Sequence, residues 1–125
     1  MYLVGATHPY KEISRQLLED AIRRERRLVS DAEVLQEILH RYTAISRRDA
    51  IEPAFQALLA VVDTVHAIER QDVERASRIL RDHPGLSARD ALHVAVMERH
   101  EIREILSFDA GFDAVEGIRR IALPE

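Results

Sequence analysis

Four acids in this chain could do chemistry together if the fold brings them to one place: Glu37, Asp90, Asp109 and Asp113. Magnesium and manganese prefer oxygen ligands, and a two-metal site needs several carboxylates converging on a small volume. Such ions activate water and stabilise a phosphodiester transition state. Carboxylates that converge without a cation repel one another and raise a pKa, so convergence itself implies a cation. Each acid also has an ordinary structural use. Asp90 stands three residues after Ser87, the spacing of a capping box. Asp109 suits the cap of a short helix holding Phe112, and Asp113 suits turn chemistry. Glu37 falls roughly 120° from the middle of a helical apolar stripe, at a border where a glutamate is usually solvated. Spacing alone does not make the four meet.

Other chemistries find little support. There is no cysteine, which excludes disulfides, thiolate metal sites and cysteine nucleophiles. His40, His66, His83 and His100 show no HExxH or other zinc spacing. His93 lies within one turn of Asp90 and reads as a satisfied or half-exposed helix histidine. The glycines Gly5, Gly85, Gly111 and Gly117 form no phosphate-cradling loop, and no GxSxG elbow occurs.

The acids must be positioned by the elements around them. Ser87 starts a helix whose Ala91, Leu92, Val94, Ala95 and Val96 are apolar on most of its circumference, so it is buried in the core. Glu98 to Glu101 mark its exit to solvent. Ile105 to Phe108 reads as a short parallel strand, and Asp109 follows it immediately. Ligands of open α/β folds bind beyond the carboxyl ends of strands, where Asp109 would stand.

Upstream, Met1 to Gly5 is a short apolar start, either a strand or the tail of a helix. A helix from Tyr10 to about Arg26 carries Ile13, Leu17, Leu18, Ala21 and Ile22 on one face. Arg23, Arg24, Arg26 and Arg27 close it, complementing its dipole or facing RNA. Leu28 to Ser30 can hold only a very short strand. Ser30 or Asp31 caps the next helix, which runs to about Tyr42 with Val34, Leu35, Ile38, Leu39, Tyr42 and Ile45 as its buried stripe. Glu52-Pro53 starts a helix with Ala54, Phe55, Leu58, Leu59 and Val62 inside. Thr64 to Ile68 fits an edge strand. Asp72 to Arg81 is a helix carrying Val73, Ala76, Ile79 and Leu80, ended by His83-Pro84-Gly85. Ile118 to Leu123 is a last short strand.

This alternation implies an α/β fold, a small parallel sheet with helices on both faces. The 125 residues, 46% apolar, fit a single domain, 1–125, with one core. Charge is high but nearly balanced, at −4, which argues against disorder and against duplex binding by bulk charge. No apolar run approaches the roughly 20 residues needed to span a bilayer, and no signal peptide is visible. A cytoplasmic protein is expected.

The segment from Leu86 to Asp113, LSARDALHVAVMERHEIREILSFDAGFD, resembles the second half of a PIN domain. It is similar to the VapC-like toxin ribonucleases of type II toxin–antitoxin pairs. In that family an Asp opens a buried helix, as Asp90 does. An SFDxxFD motif ends a strand and opens the next turn, matching Ser107, Phe108, Asp109, Phe112 and Asp113. A helix-borne Glu matches Glu37 within VLQEIL, and GIRRI fits the final strand. The resemblance spans nearly the whole chain.

It implies a three-layer PIN-like domain and a magnesium- or manganese-dependent endoribonuclease. The implied metal ligands are Asp90, Asp109, Glu37 and Asp113, with Glu37 also orienting the attacking water. The implied partners are a small antitoxin, a structured RNA substrate such as transfer RNA, and a second copy in a homodimer. One departure stands out. The family begins with a central strand that ends in an Asp, and no Asp occurs here before Asp20. Tyr2-Leu3-Val4-Gly5 resembles the end of the helix after that strand. The expectation is therefore a chain lacking about ten residues, a strand and its first Asp, through a late start codon or a shortened copy. A sheet without its middle would be less stable, poorly active, or both. The alternatives are an impaired form that only binds an antitoxin or dimerises, and a PIN-like nuclease with no antitoxin.

Overall fold

Five short parallel strands form one sheet in the order β3-β2-β1-β4-β5. The structure is a computed structural model, and it describes residues 1–3, 27–107 and 110–121. The strands are β1 (Tyr2–Leu3), β2 (Val29–Asp31), β3 (Thr64–His66), β4 (Glu104–Leu106) and β5 (Arg119–Ile121). Between them lie α1 (Ala32–Ala44), α2 (Ile51–Val61), α3 (Arg70–Asp82) and α4 (Ala88–Arg99). Short 3-10 turns occupy Arg48–Ala50 and Ala110–Ala114. The expected helix from Tyr10 to Arg26 lies outside the described residues.

The expectation that the central strand is missing is corrected. Tyr2–Leu3 fills the middle of the sheet, pairing Tyr2 with Val29 on one side and with Ile105 on the other. Leu3 pairs with Leu106. Both residues are buried. The reason is that Tyr2 and Leu3 are large enough to bury side chains on both faces, which the middle of a parallel sheet demands. The stretch after β1, Val4 to Thr7, contains no acid, so the family's first Asp has no counterpart there.

The other strands and helices fall where the sequence places them, a residue or three apart at their ends. Ser87 caps α4, its Oγ accepting the Asp90 N–H at 3.1 Å. Ala91, Val94, Ala95, Val96 and Met97 of α4 are all buried, in one cluster with Tyr2, Leu3, Ile105, Leu106 and Phe112. The edge strand β3 spans only Thr64–His66. Gly117, at φ 87°, makes the left-handed turn into β5 that a side chain would strain.

Four residues expected inside are exposed: Leu39, Ile45, Leu59 and Val73. Strand length explains the first three. A 13-residue helix is about 20 Å long, whereas a three-residue strand covers about 10 Å. The end of α1 and the helix that follows it therefore overhang the sheet, and α2 fully buries only Leu58. Val73 lies on the outer face of α3, whose buried positions are Asp72, Ala76 and Ile79.

An ion pair joins the start of α3 to the end of α4. Arg99 donates from Nε and Nη2 to the two oxygens of Asp72 at 2.8 and 2.9 Å, and to the Ala67 carbonyl at 3.0 Å. Asp72, 2% exposed, also accepts the Glu69 N–H at 2.8 Å. Burial works against its charge, but these bonds outweigh it and hold the carboxyl below its usual range. Arg99→Ala leaves a buried carboxylate without its cation and is expected to cost about 3 kcal/mol in urea unfolding. A loss under about 1 kcal/mol would show that Asp72 is adequately held by its backbone bonds.

Candidate functional site

The sheet order reverses direction at β1, with β2 and β3 laid to one side and β4 and β5 to the other. The crevice beyond the carboxyl ends of the strands at such a point is where α/β folds bind ligands. Two helices begin at that edge. The first, α1, follows directly from β2, and α4 runs back toward the start of β4. Glu37 is in the second turn of α1, and Asp90 is in the first turn of α4. Chain direction thus brings both acids to the same end of the sheet.

Two contacts tie the helices side by side there. Arg89 Nε lies 3.8 Å from Glu33 Oε1, and His93 Nε2 lies 3.4 Å from Glu37 Oε1. Asp90 stands between Arg89 and His93 in sequence, and one turn before His93 on the same face of α4. Glu37 is half-buried rather than fully solvated, because the His93 ring covers one of its oxygens.

His93 is the centre of a buried network that sequence reasoning missed. Its Nδ1 lies 2.7 Å from Asp31 Oδ2. The same Asp31 oxygen accepts the Tyr2 hydroxyl, and Oδ1 accepts the Val34 N–H at 3.1 Å as the cap of α1. A carboxylate oxygen faces each ring nitrogen of His93, an arrangement that favours the doubly protonated, positively charged ring. Burial disfavours that charge, but the bonds to Asp31 and Glu37 prevail and push the ring up to about 9. Burial likewise opposes the Asp31 charge, and His93, Tyr2 and the Val34 N–H together hold its carboxyl below the usual range. Burial first, and Asp31 second, push the Tyr2 hydroxyl far above its ordinary range. The visible signals were an Asp directly after an apolar strand and a His one turn from Asp90.

The network makes stability depend on pH. The folded value of His93 lies above the roughly 6.5 of an unfolded histidine. Its contribution is therefore whole below about pH 6.5 and is lost as pH rises through about 9, a change worth about 3 kcal/mol. The depressed Asp31 carboxyl contributes above its ordinary 3.8 and loses that contribution on acidification. The urea midpoint is expected to fall on raising the pH from about 6.5 to about 9, and to lose most of that slope in His93→Gln. An unchanged midpoint across this range would contradict the assignment.

Negative charge gathers around this network. Glu33 sits one turn before Glu37, and its carboxyl is raised by burial, then by the nearby Glu37 and Asp31 charges, against the pull of His93 and Arg89. Asp113 is placed differently. It is exposed, in the turn Ala110–Ala114, and both its oxygens are held by Arg120 at 2.9 and 3.1 Å. The guanidinium keeps its carboxyl below the usual range. Arg120 also donates to the Ser107 carbonyl at 3.4 Å, so the pair fixes the turn after β4 against β5. Asp109 lies outside the described residues. Glu37 and Asp90 offer the oxygen donors that a hard divalent cation favours. Among the described residues, no group of three or more His, Cys, Asp or Glu is arranged to hold a metal ion.

Comparison with known proteins agrees with the fold. The PIN domain family matches residues 1–118. Ribonuclease VapC13 of Mycobacterium tuberculosis is 59% identical over 122 residues, covering 98% of this chain and 93% of that protein. Ribonuclease VapC23 of the same organism is 36% identical over 109 residues, covering 87% and 86%. The structure resembles a chain in the crystal structure of VapBC2 from Rickettsia felis bound to a promoter DNA fragment. That match has a TM-score of 0.75 and 11% identity, and covers 98% of both chains. At that identity the likeness concerns the fold. With the family pattern matching residues 1–118, and close relatives along almost its full length, the chain belongs to the PIN-domain family, in its VapC-like toxin branch.

Proposed function

We propose that this protein is a metal-dependent endoribonuclease, the toxin of a type II toxin–antitoxin pair. The observation that carries the reading is 59% identity, over 98% of the chain, to a protein named as a ribonuclease. The placement of Glu37 in the second turn of α1 and of Asp90 in the first turn of α4, at the same end of the sheet, supports it. In this reading Asp90 is the principal ligand of a Mg2+ or Mn2+ ion, with Glu37, Asp109 and Asp113 completing the acidic set. The bound ion would supply Lewis-acid activation of water and of the phosphodiester. Glu37 orients the attacking water, and the Ser87 cap holds the first turn that carries Asp90. Asp113 acts from further out, since Arg120 already engages both its oxygens. The substrate is a structured RNA, the partner is a small antitoxin protein, and the protein works as a homodimer in the cytoplasm. Among the described residues, no helix is long and apolar enough to cross a membrane.

A second reading has its own direct observation. The described residues assemble no group of three metal-binding side chains, and the stretch directly after β1, Val4 to Thr7, contains no acid. A catalytically impaired PIN-like protein that only binds an antitoxin or dimerises fits those two facts. One experiment separates the readings. The purified chain is incubated with total transfer RNA in Mn2+, and with the metal removed by chelator. Cleavage that stops on chelation and returns on adding metal back is expected for the nuclease. No cleavage by a folded chain that still binds its antitoxin would establish the impaired form.

A further inference from the structure

We infer that Arg89 grips a phosphate of the RNA backbone as the substrate enters the crevice between α1 and α4. This inference rests on the reading of the chain as a ribonuclease, and it needs no metal ion. The chain carries a net charge of −4, so bulk attraction does not gather a polyanion. Glu33, Glu37 and Asp90 stand around the crevice, and each carboxylate repels a phosphate. RNA laid there must be held by a cation fixed at that spot. His93 cannot be that cation, because its ring is 1% exposed and faces Asp31 and Glu37.

Arg89 stands in the first turn of α4, one residue before Asp90, with its side chain 45% exposed. Among the described residues its guanidinium approaches only Glu33, Nε to Oε1 at 3.8 Å, beyond hydrogen-bond reach. That approach turns it across the mouth of the crevice towards α1, one turn before Glu37. Its N–H donors stay open to a ligand. Other arginines differ. Arg75, Arg99 and Arg120 each set two N–H groups on one carboxylate, of Glu98, Asp72 and Asp113 respectively. An open guanidinium fork matches two oxygens of a phosphate and binds them by charge-assisted hydrogen bonds. Glu33, with a side chain 17% exposed, keeps Arg89 over the crevice without filling its fork.

The test is the binding of fluorescently labelled transfer RNA to the full chain, read by anisotropy in chelator so that binding is seen apart from cleavage. Salt is varied between about 50 and 200 mM. Three variants are compared with the parent: Arg89→Gln, Arg89→Lys and Arg48→Gln. Arg48 lies in the turn beyond the far end of α1, so its loss removes the same charge from elsewhere. Circular dichroism checks that each variant is folded. Arg89→Gln is expected to bind about tenfold more weakly. Its slope of log affinity against log salt should be shallower by about 0.7 to 0.9. Arg89→Lys should keep the slope, because it keeps the charge, and Arg48→Gln should match the parent in both. In Mn2+, Arg89→Gln should raise KM and leave kcat near that of the parent, as for a contact equally strong in ground and transition states.

Parental affinity and slope in Arg89→Gln would overturn the inference. So would an equal loss in Arg48→Gln, which would make the effect one of net charge. A slope lost in Arg89→Lys, or a kcat that falls while KM holds, would overturn it as well. A parent that cleaves RNA in Mn2+ but binds none in chelator would do the same, since the grip needs no metal. In each of these cases a parent that cleaves RNA keeps its reading as a ribonuclease. A parent that neither binds nor cleaves transfer RNA ends that reading, and the inference falls with it.

Discussion

Asp90→Asn is expected to lower metal-dependent RNA cleavage at least a hundredfold, on the order of the effect of losing a group that stabilises transition-state charge. The substitution is nearly isosteric. It leaves the Asp90 N–H on Ser87 Oγ, so the start of α4 stays capped. It removes a negative charge near a helix N-terminus, which costs about 0.3–1 kcal/mol of stability. Activity should therefore collapse while unfolding barely moves. The measurement is single-turnover cleavage of a structured RNA in Mn2+, alongside urea unfolding of the same preparations. Cleavage at the parent rate would remove Asp90 from the site and leave it as the third residue of a helix cap. Rescue by raised Mn2+ concentration would place the loss in metal binding.

The second large effect concerns the core rather than the chemistry. His93→Leu should destabilise the protein by about 3–5 kcal/mol, because it strands buried charge. Leucine fills much of the volume of imidazole, so cavity formation is a minor part of the cost. What remains is Asp31, fully buried, with a tyrosine hydroxyl and one N–H in place of a cation. Equilibrium unfolding in urea at about pH 6.5, where the ring contributes fully, gives the comparison. A loss below about 1 kcal/mol would mean that desolvating the pair already cancels its attraction. Replacing both members, His93→Leu with Asp31→Asn, should recover part of the loss, since a neutral amide tolerates burial better than an unpaired carboxylate.

Where Asp90 and Glu37 fall on their helices was legible in the chain before any tertiary contact was known. The apolar circumference of 88–97 required a buried helix, and Ser87 set where it starts. Those two facts put Asp90 in the first turn of a core helix, as observed. Alternating short apolar runs and helical stripes implied a parallel sheet with covering helices, because period and turn residues are local properties. The border position of Glu37 also followed from period alone. What period could not supply was the length of sheet beneath each helix. Leu39, Ile45 and Leu59 read as core residues and stand exposed because the strands below are too short to cover them.

The central strand was misjudged for a related reason. Two residues, Tyr2 and Leu3, carry no periodicity, and only their pairing with β2 and β4 makes them a strand. The partner of each charged group was likewise a matter of tertiary structure. Asp31 and His93 are 62 residues apart, and Glu37 and His93 are 56 apart. A local pattern records which side chains can ionise, but whether two of them meet depends on how the sheet stacks its helices. Asp113 shows the same limit, since only the docking of β5 brings Arg120 against it. Helix starts and caps were written in short-range spacing. The ionic network that links β1, α1 and α4 exists only because the parallel sheet sets those elements side by side.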